Sequence, residues 1–157
     1  MKVSFFILLL IVFSTNADFN KGKTFYKEGN LEAAALEFLR DAKLGNAEAQ
    51  FHIGVLYDRG RGVTQNFKEA AKWFRQAAEQ GHAAAQYNLG YLLYKGKGVS
   101  KNLDYAYMWF SMSAFQGFEG ANEPRRRAGE EMTPAQTEMA KTLFNRCVAN
   151  RYKDCES

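Results

Sequence analysis

Apolar residues recur along most of the chain at steps of three and four, the period of a helix that buries one face. In AAAQYNLGYLLY, Ala85, Leu89 and Leu92 share a face, and the segment reads as a helix. LDYAYMWFSMSAFQ, within the stretch Tyr105–Phe118 and just before it, is apolar nearly all round. That suits a helix covered by neighbours on more than one side. Pro134–Ala149 reads as a third such helix, with Met139, Leu143 and Val148 as its buried stripe. It opens on Thr133-Pro134-Ala135-Gln136, a capping box with proline at the first helical position. Val, Ile and Thr runs are few and only two prolines occur, so the expected fold class is all-α.

The helical pattern repeats. Laid over Ala83–Phe118 without a gap, Ala47–His82 is identical at 15 of 36 positions, among them Gln50/Gln86, Gly54/Gly90, Trp73/Trp109 and Phe74/Phe110. A fixed period of this length marks stacked supersecondary units, each too small to bury its apolar face alone. Asn30, Asn66 and Asn102 recur at the 36-residue step where second helices should begin, and an asparagine there can accept from a free amide. Gly45, Gly81 and Gly117 recur where those helices should end. Between helices the chain twice writes Gly-basic-Gly-Val, at Gly60–Val63 and Gly96–Val99. The first glycine is expected to stop a helix at positive φ, the second to let the chain turn, and the valine to tuck back as an apolar plug. A phosphate cradle would need a strand before the loop and Ser or Thr directly after Gly-Lys; here a helix precedes, and Gly98 and Val99 separate Lys97 from Ser100.

LGYLLYKGKGVSKNLDYAYMWFSMSAFQG (Leu89–Gly117) resembles the Sel-one-like repeat (SLR) family of the tetratricopeptide superfamily. The resemblance rests on Leu-Gly, the Gly-x-Gly-Val loop, the cap, Ala-x-x-Trp-Phe and the closing glycine. Upstream, Gly22–Gly45 resembles a plain tetratricopeptide unit, lacking the Gly-x-Gly-Val insertion and carrying Glu37 in place of the tryptophan. Downstream, Glu119–Cys147 is similar to the family's closing hairpin. The resemblance implies an α-solenoid of about four antiparallel helix hairpins, near 18–46, 47–82, 83–118 and 119–149, with a tail at 150–157. It implies too that first helices line a concave surface, and that the protein serves as a non-catalytic adaptor for a protein or peptide partner. The alternative it carries is a cell-wall-related or β-lactam-binding hydrolase of the disulfide-rich SLR type.

Composition adds an address. Lys2 followed by the apolar run Val3–Phe13 and small residues at Thr15 and Ala17 reads as a signal peptide over residues 1–17, too short to span a bilayer comfortably. The expected location is periplasmic or secreted, with no membrane span after cleavage. Losing Lys2 from 21 basic residues leaves 20 against 17 acidic ones, a balance of +3 that does not argue for nucleic acid. The two cysteines, Cys147 and Cys155, read as one disulfide folding the tail over the last helix. A free nucleophilic cysteine, the other reading, has no histidine nearby in sequence.

Candidate chemistry is sparse. His52 and His82 belong to no triad or metal pattern, and Ser111 and Ser113 sit in an aromatic helix without elbow glycines. No catalytic residue, metal or cofactor is expected. Two surfaces stand out instead. Tyr87, Tyr91 and Tyr94 fall on one stripe of their helix, away from Ala85, Leu89 and Leu92, and are expected to be exposed. With Phe51 and Val55 of the preceding unit and Arg127 of the last, they make a candidate partner-binding groove. Arg59, Arg61, Lys95 and Lys97 recur one unit apart as a candidate basic edge, and Arg125–Arg127 are expected to pair with Glu130 and Glu131.

Overall fold

The computed structural model describes residues 19–153 and 155–156; the leader expected over 1–17 lies outside them. Residues 19–27 form α1. Then come α2 (Leu31–Lys43), α3 (Ala47–Arg59), α4 (Phe67–Ala78), α5 (Ala83–Lys95), α6 (Leu103–Phe115), a 3-10 turn (Glu119–Ala121), α7 (Asn122–Glu130) and α8 (Pro134–Ala149). No strand occurs among the described residues. Successive helices pack on one another from α2 to α6, each touching the next, as an α-solenoid requires.

The recurring asparagines act at the helix starts. Asn30 Oδ1 accepts from Ala33 N–H (3.2 Å), Asn66 from Lys68 and Glu69 (3.1 Å each), and Asn102 from Tyr105 (3.0 Å). The first helices have caps of their own: Asn46 accepts from Ala49 N–H, and His82 Nδ1 from Ala85 N–H (3.1 Å). Thr133 and Gln136 close the capping box that opens α8. Gly60 and Gly96 stop α3 and α5 in the left-handed region, at φ 63° and 66°.

The second loop glycine does more than turn the chain. A Cβ on Gly62 would lie 2.3 Å from the Leu31 carbonyl oxygen, and one on Gly98 2.3 Å from the Phe67 carbonyl carbon. Each loop therefore presses its backbone on the start of the preceding unit's second helix, an approach that only glycine permits. Inside each hairpin the fit is also close. Phe38, Phe74 and Phe110, fully buried at the 36-residue step, lie where a Cβ on Gly22, Gly54 or Gly90 would stand. Burying one such ring contributes about 1.5–3 kcal/mol. Trp109, Met108, Met112, Leu89 and Leu92 complete the central core.

A polar ladder ties the units together. Buried Gln50 and Gln86 donate their side-chain amides across the unit boundary to the carbonyls of Ala42 and Ala78, 3.1 Å in each case. Ser113, buried on α6, donates to the Ala83 carbonyl (2.8 Å).

The last unit departs from a simple hairpin. α7 and α8 each pack on α6 and touch one another little. The buried stripe of α8 is Ala140, Leu143 and Cys147, while Met139, expected inside, is 53% exposed. With α6 as the only broad support, a stripe at 140, 143 and 147 points inward and 139 turns past its edge. Cys147 and Cys155 stand as a disulfide pair with Cα atoms 4.7 Å apart, bringing the tail back along the stack.

Candidate functional site

Tyr87, Tyr91 and Tyr94 line one side of a cavity of about 380 Å³, as their spacing of four and three predicts. The other wall is α7, through Glu123, Pro124 and Arg127, with Gly120 of the 3-10 turn at one end. Only Tyr91 is exposed, at 38%; Tyr87 and Tyr94 are half-buried, which corrects the expectation of a fully exposed strip. The reason is the opposite wall: the 3-10 turn brings Phe118 against Tyr87, ring centroids 5.3 Å apart, and Phe110 flanks it at 5.9 Å.

The rim is set by charge pairs. Tyr94 Oη donates to the Glu131 carboxylate, which also takes Lys101 Nζ at 3.2 Å. That carboxylate raises the Tyr94 phenol pKa, and the two donors lower that of Glu131. Hydrogen bonds from Arg126 and Arg127 hold Glu123 down to about 2. Arg127 Nε meets Glu123 at 2.8 Å, and Arg126 joins both Glu123 and Glu130. The pairing expected within the arginine run is thus redistributed: Glu131 is drawn to α5 and its loop, and Glu123 takes its place. Lys95 Nζ lies over the Tyr94 ring at 4.9 Å and near Tyr91 at 6.0 Å. The site therefore offers apolar rings at the bottom and a rim whose charges are largely matched internally.

Phe51 and Val55 do not join this cavity. Both pack against the core, and Phe51 stacks on the His82 ring at 4.7 Å. The basic edge is likewise divided. Lys95 turns to the tyrosines, Arg61 lies over Tyr26 (5.7 Å), Lys97 lies over Phe67 (5.1 Å), and Arg59 is exposed at the end of α3. The Arg61 and Lys97 amides are not free for an anion, since they donate to the Leu56 and Leu92 carbonyls.

His52 and His82 converge on Glu48, at 3.3 and 3.0 Å. His52 also stacks on Phe38, centroids 4.9 Å apart, and burial lowers its pKa despite the carboxylate. Among the described residues no His, Cys, Asp or Glu cluster is placed to hold a metal ion. A second cavity, about 430 Å³, opens between α6, α7 and α8, with Tyr107, Phe115 and Phe144 as apolar lining and Arg125 and Lys141 at its rim. A closing hairpin that paired α7 with α8, as the sequence suggests, would have filled this space.

These features define an α-solenoid repeat protein with an aromatic cavity between its third and fourth units. The Sel1 repeat family model matches residues 47–82 and 83–118, so the chain carries two Sel1 repeats, and its fold is that of the SLR structures it resembles. Repeats of this family generally mediate protein–protein interaction. Among solved structures the chain is similar to a protective antigen of uropathogenic Escherichia coli displaying an SLR fold (29% identity, TM-score 0.82, covering 90% of this chain). It is also similar to a Sel1 repeat protein from Oxalobacter formigenes (31% identity, TM-score 0.64, covering 85%). The chain spans 31% and 63% of the lengths of these two proteins. No curated protein matches it.

Proposed function

We propose that the chain is an exported, non-catalytic interaction module that takes a segment of a partner protein into the cavity between α5 and α7. The observation that carries this reading is the cavity itself, with Tyr87, Tyr91 and Tyr94 opposite Pro124 and Arg127. Its volume suits a few side chains. Tyrosine offers large contact area for little lost conformational freedom, plus a polar tip, the character of an interface anchor. The matched rim orients a partner without repelling either sign of charge. The apolar leader Val3–Phe13 and its small-residue end support export, and a periplasmic or secreted address goes with export.

The test is affinity capture from a periplasmic extract with the wild-type protein and with Tyr91→Ala, followed by mass spectrometry. A partner retained by the first and lost by the second supports the reading. Identical captures refute it. Turnover of nitrocefin by the purified protein would replace the module with the hydrolase alternative.

A further inference from the structure

The disulfide-closed tail reaches side chains of two different units through one residue. Arg75 on α4 donates Nη2–H to Glu156 Oε2 (2.8 Å), and Trp109 on α6 donates its indole Nε1–H to Glu156 Oε1 (2.7 Å). Tyr105, also on α6, donates Oη–H to the Glu156 backbone carbonyl (3.1 Å). Trp109 is fully buried, so its N–H depends on an acceptor brought to it. Trp73, one repeat earlier, shows the alternative: its N–H is buried with no hydrogen-bond partner among the described residues. One step before Arg75 and Tyr105 stand Leu39 and Glu69, so neither the guanidinium nor the phenol recurs around Trp73, whose neighbouring cation, Lys72, lies over its ring at 5.3 Å. The three-donor arrangement is specific to the Trp109 position.

The tail is held there at a cost. Arg151 and Tyr152 are consecutive non-glycine residues in the left-handed region, φ 53° and 69°. Such conformations persist where surrounding contacts impose them. The contacts here are the Cys147–Cys155 bridge, the Glu156 hydrogen bonds, and the Tyr152 ring, 3.2 Å from where a Cβ on Gly81 would lie. The donors themselves belong to α4 and α6, outside the tail.

We propose that Arg75, Tyr105 and Trp109 form a carboxylate-binding site, filled in cis by Glu156 while the Cys147–Cys155 bridge is closed and open to an acidic segment of another polypeptide once the bridge is reduced. The reductant is a dithiol. It supplies two electrons and two protons, the S–S bond breaks, two thiols form and the dithiol becomes a disulfide. The occupant is acidic because the Arg75 guanidinium and the Trp109 indole N–H each take one carboxylate oxygen, and Tyr105 takes the backbone carbonyl of the same residue, which fits an acidic side chain on a polypeptide.

The indole N–H resonances of Trp73 and Trp109 report on the site directly, assigned with Trp73→Phe in the full chain. With the bridge intact, Glu156→Ala speeds exchange of the Trp109 N–H about tenfold or more and leaves Trp73 unchanged. Sodium acetate then restores protection at Trp109, whereas sodium chloride at equal ionic strength does not. Absence of acetate rescue overturns the site. The second arm uses reduced wild-type protein, shown to be folded by circular dichroism, and a peptide of residues 150–157 carrying Cys155→Ser. The peptide shifts the Trp109 resonance in the reduced protein but not in the bridged one, and Arg75→Gln abolishes the shift. A reduced, folded protein that ignores the peptide, or a response that survives Arg75→Gln, overturns gating by the tail.

Discussion

Gln116 donates its side-chain amide to Gln86 at 2.6 Å, and Gln86 donates its own to the Ala78 carbonyl at the end of the preceding unit. One step earlier Gln80 does the same to Gln50 (2.7 Å), and Gln50 to Ala42. Each junction is thus closed by a relay of two glutamines ending on a helix-terminal carbonyl, the inner one buried and the outer one exposed. Gln86→Leu should cost about 0.5–1.5 kcal/mol, because the buried Ala78 carbonyl loses this bond and keeps only the one from Gly81 N–H, while the exposed Gln116 amide turns to solvent. Gln80→Ala should cost less, since Gln80 is exposed and its loss can be made good by solvent. Urea unfolding of the two variants decides the order.

The glycines separate two effects that are usually confounded. Gly117 has φ 87° and open space where a Cβ would stand, so Gly117→Ala should cost only the left-handed conformation, about 1–2 kcal/mol. Gly98 has φ 69° and a Cβ position 2.3 Å from the Phe67 backbone, so Gly98→Ala should add an overpacking cost of about 1–3 kcal/mol. Equal midpoints in urea would show that the loop does not bear on the preceding unit.

Tyr91→Ala should leave stability within about 0.5 kcal/mol of wild type, as for an exposed position. Its loss of partner affinity should be about 1–3 kcal/mol if Tyr91 anchors the bound segment. Unfolding by this single change would make Tyr91 a core residue and remove the cavity from consideration.

His52 makes stability pH-dependent in a stated direction. Burial lowers its pKa in the folded state below the ordinary 6.5, so below that pH the unfolded chain binds more protons. Stability should therefore fall as pH drops from about 6.5 through the folded-state pKa. His52→Asn, the residue at the matching position 88, should flatten that part of the profile in thermal melts recorded from pH 7 to pH 5.

Reduction of the Cys147–Cys155 pair should act locally. Amide exchange should quicken in α8 and the tail and stay unchanged in α2 and α3, because repeat stability is largely a nearest-neighbour property. Uniform loss of protection would mean that the stack unfolds as one unit.

What the sequence discloses follows from what it repeats. The asparagine caps, the left-handed glycines and the rings of Phe74 and Phe110 recur at a fixed step, so their roles can be read from either copy. The tyrosine stripe is legible from its spacing, but its opposite wall is not, since nothing local says that α7 faces α5. Gln50 and Gln86 recur as plainly as the glycines, yet a buried glutamine is legible only once its carbonyl partner is known. Met139 misleads because its four-residue step to Leu143 looks like a stripe, while Ala140 and Cys147 carry the actual one. Glu156 cannot be placed from sequence at all: Arg75 lies 81 residues away and no period connects them.

The glutamine relay has a direction: Gln80 and Gln116 hand on to Gln50 and Gln86 within their own units, and Gln50 and Gln86 each reach back to the unit before. Such an array can in principle be lengthened indefinitely by copying 36 residues, so it needs a terminator. One step beyond Gln86 the chain places Asn122, shorter by a methylene, at the head of a unit that opens with a 3-10 turn instead of a full helix. Asn122 is exposed on α7 instead of buried at a junction, so the cross-unit amide is not continued there. A longer array therefore needs the buried glutamine as well as the 36-residue period.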